Sequence, residues 1–167
     1  MATTTTSGHV SRALDFFERN DIFVGIGRTT PWEDEAQPPV PSTEAKEIEE
    51  IMGYKKLEFI HLVVPDEAGE ISYRDSRWRK VPFDKALEEN ARWVYIEAHI
   101  RYDELPLEPY RQIGVFSRLK AKEAASAKLV LSPDEVESAG ILEVLDNRRV
   151  VNRQLDQKEQ LSMVIEF

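Results

Sequence analysis

Three histidines, His9, His61 and His99, are the side chains of this chain whose ordinary pKa lies near neutrality. None is spaced i, i+4 from another, the interval that sets two imidazoles on one helical face for a metal. His61 and His99 fall within two β-rich runs, Lys55–Val64 and Arg92–Tyr102, with Glu97 and Tyr95 beside His99. Brought together across a sheet, they would suit a metal site, a general base or the lining of a small-ligand cavity. The plainer reading is a pair of core or interface histidines, and both readings stay open at this level.

Other chemistry is missing its parts. The chain has no cysteine, which excludes disulfides, thiolate nucleophiles and thiolate metal sites. No serine stands in Gly-x-Ser-x-Gly, and Gly25-x-Gly27 is only a fragment of a dinucleotide fingerprint. The acidic clusters Glu33-Asp34-Glu35, Glu47-Ile48-Glu49-Glu50 and Glu88-Glu89 lack the alternation of a calcium loop and read as solvated faces. The expectation is therefore no enzyme, no cofactor and no metal.

Composition narrows the partners. With 22 basic and 31 acidic residues, the 167-residue chain carries a formal charge of −9. Such a protein is repelled by nucleic acid and by anionic membranes unless it has a local basic patch. The basic clusters Lys55-Lys56, Arg74–Lys80 and Arg148-Arg149 are small and mostly flanked by acids. No apolar run approaches the roughly 18–20 residues that span a bilayer. The Thr-rich lead, residues 1–8, has neither the basic region nor the apolar core of a signal peptide and is expected to be flexible. A soluble single domain over 1–167, without nucleic-acid, membrane or small-molecule partners, is the expectation.

What stands out instead is bulk in exposed-looking places. Trp32 sits among prolines in a Pro-rich loop, 28–42. Trp78 lies on a hairpin in the region 65–90, and Tyr110 follows Leu105-Pro106-Leu107-Glu108-Pro109. Aromatic and arginine side chains are the usual anchors of protein interfaces, although each of these can also pack beneath its own loop.

The elements that would position them follow from periodicity. Val10, Leu14 and Phe17, broadened by Ala13 and Phe16, make an amphipathic helix over 9–19. Ile22–Ile26 reads as a buried strand ending at Gly27. Ser42 caps an expected helix over 43–52, with Ile48, Ile51 and Met52 on its apolar side and Gly53 at its end. Lys55–Val64 is apolar on both faces, as a central strand would be. Glu70–Arg74 and Arg77–Val81 form a hairpin around Asp75-Ser76. Arg92–Tyr102 and Gln112–Leu119 are further strands, and Ser132-Pro133-Asp134-Glu135 starts a short helix. Gly140–Leu145, Val150–Arg153 and Gln160–Phe167 complete the β segments. The sum is a β-rich α+β fold: a β-sandwich core of six to eight mostly antiparallel strands with three or four short peripheral helices.

Three stretches, in order, resemble one family. The first is Asp21–Trp32, an apolar strand leading into Gly27-Arg28-Thr29-Thr30-Pro31-Trp32. The second is Tyr110-Arg111-Gln112-Ile113-Gly114-Val115. The third runs from Gly140-Ile141-Leu142-Glu143 through Asp146-Asn147-Arg148 and Asp156-Gln157-Lys158-Glu159 to an apolar strand ending at Phe167. Together they resemble the baseplate wedge proteins of contractile-tailed phages, typified by gene product 8 of phage T4, in a shortened form. The departures are a far shorter centre, with 64–90 in place of a long insertion, and Val150 where the pattern often has proline.

The resemblance implies a structural subunit made in the bacterial host cytoplasm and built into the virion tail baseplate. Its implied partners are other wedge proteins and a second copy, as a homodimer within a sixfold assembly that couples receptor binding to sheath contraction. It also marks Gly27, Arg28, Pro31, Trp32, Arg111, Gln112, Asn147, Arg148, Asp156 and Gln157 as motif or interface positions, with Trp78 added from its exposed-looking place. A small-ligand-binding β-domain on His61, Tyr95, Glu97 and His99 is the alternative, as is a part of a phage-derived injection system or tailocin.

Overall fold

The computed structural model describes all residues, 1–167. Its strands are β1 (Phe23–Gly27), β2 (Gly53–Lys56), β3 (Phe59–Pro65), β4 (Ile71–Tyr73), β5 (Ser76–Lys80) and β6 (Trp93–Ile100). There follow β7 (Tyr110–Ser117), β8 (Lys120–Ala121), β9 (Val130–Leu131), β10 (Val136–Ser138), β11 (Ile141–Val151) and β12 (Glu159–Glu166). Every described ladder is antiparallel, giving two five-stranded sheets, β11-β7-β1-β2-β9 and β12-β6-β3-β5-β4, and a β10-β8 pair. The β-rich class expected from the periodicities is the observed one. Its helical part is one α-helix and three short 3-10 turns at Phe83–Lys85, Glu123–Ala125 and Pro133–Glu135.

Two compact units partition the chain. The first comprises Met1–Asn20, Glu58–Glu97 and Leu161–Phe167. Here α1 (Thr6–Phe17) is capped by Thr5, whose Oγ1 accepts the Gly8 N–H at 3.1 Å, and it buries Val10, Ala13 and Phe16. Helix begins at Thr6, so only residues 1–5 of the expected lead lie outside it. Phe16 packs on Phe167 with ring centroids 5.0 Å apart. In β3 Leu62, Val63 and Val64 are buried in succession, whereas Phe59 at its start is exposed. Along β12 burial alternates, with Leu161, Met163 and Ile165 buried. The hairpin forms with its turn at Arg74-Asp75, one residue earlier than expected, with Ile71 opposite Trp78, Tyr73 opposite Ser76 and Arg74 in the left-handed region at φ 52°.

The second unit comprises Asp21–Leu57 and Ala98–Gln160. Its middle strands, β1 and β7, are buried along their whole length. Phe23, Ile48, Tyr54, Phe116 and Leu131 belong to one apolar cluster within it, and Tyr54 meets Phe116 edge-on at 5.3 Å. β11 runs unbroken through Ile141–Val151, joining two segments that read separately in the sequence. Bulges between Leu142 and Val144 and between Asn147 and Val151 let so long a strand follow β7.

Two local expectations fail. Residues 43–52 are turns, not helix, because their backbone groups are bonded elsewhere. The Met52 N–H donates to Ile26 O at 2.8 Å, the Glu49 carbonyl accepts the Arg28 N–H at 2.7 Å, and Glu50 sits at φ 48°. Ile48 and Met52 are nonetheless buried, so the apolar stripe is real but the period is not helical. The run 55–64 is two strands of two different sheets, not one; its second part is the central strand expected, since β3 lies between β6 and β5 with Leu62, Val63 and Val64 all buried, and that is why it is apolar on both faces. The break is at Leu57-Glu58, where the Leu57 N–H donates to Ile22 O and the Glu58 N–H to Glu97 O.

Candidate assembly site

The residues marked in the sequence converge in the second unit, where the Pro-rich loop is strapped down on β1, β7 and β11. Gly27 closes β1 because the neighbouring segment passes too close for a side chain. A Cβ there would lie 2.5 Å from Ile48 Cγ2 and 2.7 Å from the Glu49 carbonyl. Arg28 then turns the chain out at φ 57°. Its guanidinium pairs with the Glu49 carboxylate and stacks 3.8 Å from the centre of the Trp32 ring. Trp32 is 9% exposed, and its indole N–H donates to the Arg148 carbonyl at 2.8 Å.

Sequence alone suggested an exposed tryptophan; the chain buries it in its own fold. Trp32 braces the strap from within. Pro31 lies outside, with its carbonyl 3.4 Å from the Arg28 guanidinium.

Three more marked residues tie the strap to the sheet. Gln112 is 4% exposed; its Oε1 accepts the Glu49 N–H at 2.9 Å and its Nε2 donates to Asn147 Oδ1 at 2.9 Å. The Asn147 amide passes the chain of bonds on, donating to the Pro39 carbonyl at 2.9 Å. Arg111, 5% exposed, binds the Glu35 carboxylate through Nε at 2.7 Å and donates to the Thr29 carbonyl. Arg148 is turned to Asp146 at 2.7 Å, while Arg149 donates to the Ala36 carbonyl at 3.1 Å. Side chains thus satisfy backbone groups that an irregular loop would otherwise leave to water. The outer edge stays open, with Val40 91% exposed beside Pro39.

Glu50 and Glu35 make this strap sensitive to acid. Hydrogen bonds from Thr30 and Thr29 hold the Glu50 carboxyl below its ordinary value of 4.5, and the Arg111 guanidinium does the same for Glu35. A folded-state pKa depressed in this way stabilises the fold above the unfolded value and loses that contribution as pH falls through the folded one. Amide protection in residues 28–42, taken relative to the intrinsic exchange rate at each pH, is therefore expected to fall as pH drops below about 4.5. Glu50→Gln should flatten that dependence; an unchanged profile would mean that Glu50 does not hold the strap.

Asp156, Gln157 and Trp78 do not join this site. Asp156 and Gln157 are exposed in the turn between β11 and β12, where the Gln157 N–H donates to Gln154 O at 3.3 Å. Trp78 is half-buried in the first unit, its ring 5.9 Å from Trp93. Of the expected ligand set, His61, Tyr95 and Glu97 meet on one face of the first unit's sheet, while the His99 position lies in the second unit. No group of three or more His, Asp or Glu side chains is arranged to hold a metal ion.

A second brace has no counterpart in the sequence motifs. Arg153, 8% exposed, donates to four carbonyls of the 101–109 loop: Arg101 and Glu104 at 2.8 Å each, Leu105 at 3.0 Å and Pro106 at 2.6 Å. Glu159 stands 3.5 Å from its Nε and accepts the Tyr110 hydroxyl at 2.6 Å. Burial, and then Glu159, push the Tyr110 phenol well above its ordinary range. Lys55 fixes the same loop through the Glu104 carboxylate at 2.9 and 3.0 Å.

Antiparallel sheets whose irregular loops are locked by buried arginine, glutamine and tryptophan define a β-rich structural module. The chain belongs to the family of the baseplate wedge 3 tail fiber network component, whose family model matches residues 1–167. It is also 35% identical over 163 residues to Virion protein 3 of Enterococcus phage phiEF24C, an alignment covering 93% of this chain and 90% of that protein. The family is a structural component of the phage tail baseplate.

Proposed function

We propose that this subunit presents the braced Pro-rich strap to neighbouring baseplate proteins, helping to assemble the wedge as a homodimer within a sixfold structure. In that setting it takes part in coupling receptor engagement to sheath contraction. The observation that carries the reading is the contrast within the strap. Its inner face is held by Arg28, Trp32, Arg111, Gln112 and Asn147, while Val40 remains 91% exposed. A loop ordered before it meets a partner loses little conformational entropy on binding, so even a modest contact is productive and symmetry repeats it. The Gly-Arg-x-x-Pro-Trp, Arg-Gln and Asn-Arg motifs, which resemble those of gene product 8 of phage T4, supply residues of this brace and support the same reading.

Val40→Asp places a charge on the outer edge without touching the brace. The variant is expected to melt like the wild type, yet to lose at least about tenfold in affinity for co-expressed wedge proteins, measured by co-purification and native mass spectrometry. A wild-type chain that remains monomeric and captures no wedge protein would overturn the proposal.

A further inference from the structure

One face of the first unit's sheet carries a cleft of about 360 Å³, within the range of small-ligand sites. Its walls come from the β3–β6 register, which sets Phe59 opposite Glu97 and His61 opposite Tyr95. The His61 and Tyr95 rings lie nearly parallel, 10° apart with centroids at 6.4 Å, and the Tyr95 hydroxyl donates to Glu97 Oε2 at 2.5 Å. Glu70 reaches in from the turn before β4, its Oε1 accepting the Lys80 N–H at 3.4 Å. Phe59, 49% exposed, stands at the rim.

Charge decides the guest. Glu70 and Glu97 outnumber Lys80, the one cationic side chain of the lining. Burial and the nearby Lys80 hold His61 below its ordinary pKa, so at neutral pH its imidazole is uncharged. Glu70 is held below the usual carboxylate range by its own backbone N–H and stays ionised. An anion would meet two carboxylates, and a purely apolar guest would strip water from them without replacement. A planar, delocalised cation meets both needs, because it stacks on aromatic faces while donating in-plane hydrogen bonds to carboxylates.

We propose that this cleft seats the guanidinium of an arginine side chain projecting from a neighbouring polypeptide. The cleft is open on the Phe59 side, with Ser72 of its lining exposed to solvent, so it admits the end of a side chain while the rest of the guest stays outside. The inference is independent of the strap and does not rest on the assembly reading given for it.

A capped Gly-Arg-Gly peptide, titrated into the full chain and followed by NMR, tests it. Saturable shifts confined to Phe59, His61, Tyr95 and their neighbours are expected. The citrulline analogue, isosteric but neutral, should give no saturation. Glu97→Gln and Phe59→Ala should each weaken binding about tenfold. Should Glu97→Gln fail to fold, Glu70→Gln serves in its place with the same expectation. Absence of saturation, equal binding of the citrulline peptide, or tighter binding of a lysine peptide, of putrescine or of acetate would each overturn the proposal.

Discussion

Arg153→Met is expected to lower the free energy of unfolding by about 3–5 kcal/mol, the cost of removing one member of a buried ionic network. The side chain is only 1% exposed, and one guanidinium serves the carbonyls of Arg101, Glu104, Leu105 and Pro106 as well as Glu159. Methionine fills comparable space but offers no donor, so those carbonyls and the carboxylate lose the group that bound them together. Leu105, held in the left-handed region at φ 61°, then loses the contacts that keep it there.

Urea denaturation should show a lower midpoint at an unchanged slope, with faster amide exchange across 101–109. Arg153→Lys should recover little of the loss, because a single ammonium cannot span four carbonyls arranged around a planar fork. A loss under about 1 kcal/mol would show that water replaces the guanidinium and that the loop is not a brace.

Trp32→Ala should cost a similar amount, about 3–5 kcal/mol, as large-to-small changes of a buried aromatic do. Three things go at once: the buried ring, the stacking with Arg28 and the donor to the Arg148 carbonyl. Trp32→Phe keeps the ring and loses the N–H, and should cost about 1 kcal/mol. The comparison of thermal melts separates packing from hydrogen bonding. A Trp32→Ala chain that melts normally but fails to assemble would instead make the tryptophan a contact residue, which its burial argues against.

Periodicity was a good guide where the fold is locally determined. The alternation of Leu161, Met163 and Ile165 reappears in its sheet, and the hairpin expected around Asp75-Ser76 forms one residue earlier, turning at Arg74-Asp75. The Gly-Arg-x-x-Pro-Trp, Arg-Gln and Asn-Arg motifs marked residues that do come together, although their types alone pointed outward to a partner as readily as inward. Burial of Trp32 depends on Arg148, 116 positions away, and no local pattern encodes that distance.

Arg153 is the sharper case. It sits in a polar run, Asn152-Arg153-Gln154, with neither period nor neighbour to distinguish it from a surface arginine; its carbonyl partners lie 47 to 52 residues earlier. The failed helix over 43–52 teaches the complementary point. Its apolar stripe was genuine, but Gln112 and the ends of β1 had already engaged the backbone groups that a helix needs.

The strap's bonds also order events in time. Trp32 reaches Arg148 across 116 residues, and Asn147 reaches Pro39 across 108. Contacts so distant in sequence form only after loop closure has been overcome by nearer pairings, here β1 with β7 and β7 with β11. A closed strap therefore marks a chain whose surrounding strands are paired, and in the assembly proposed above a neighbour that grips its outer edge would select completed subunits over incomplete ones.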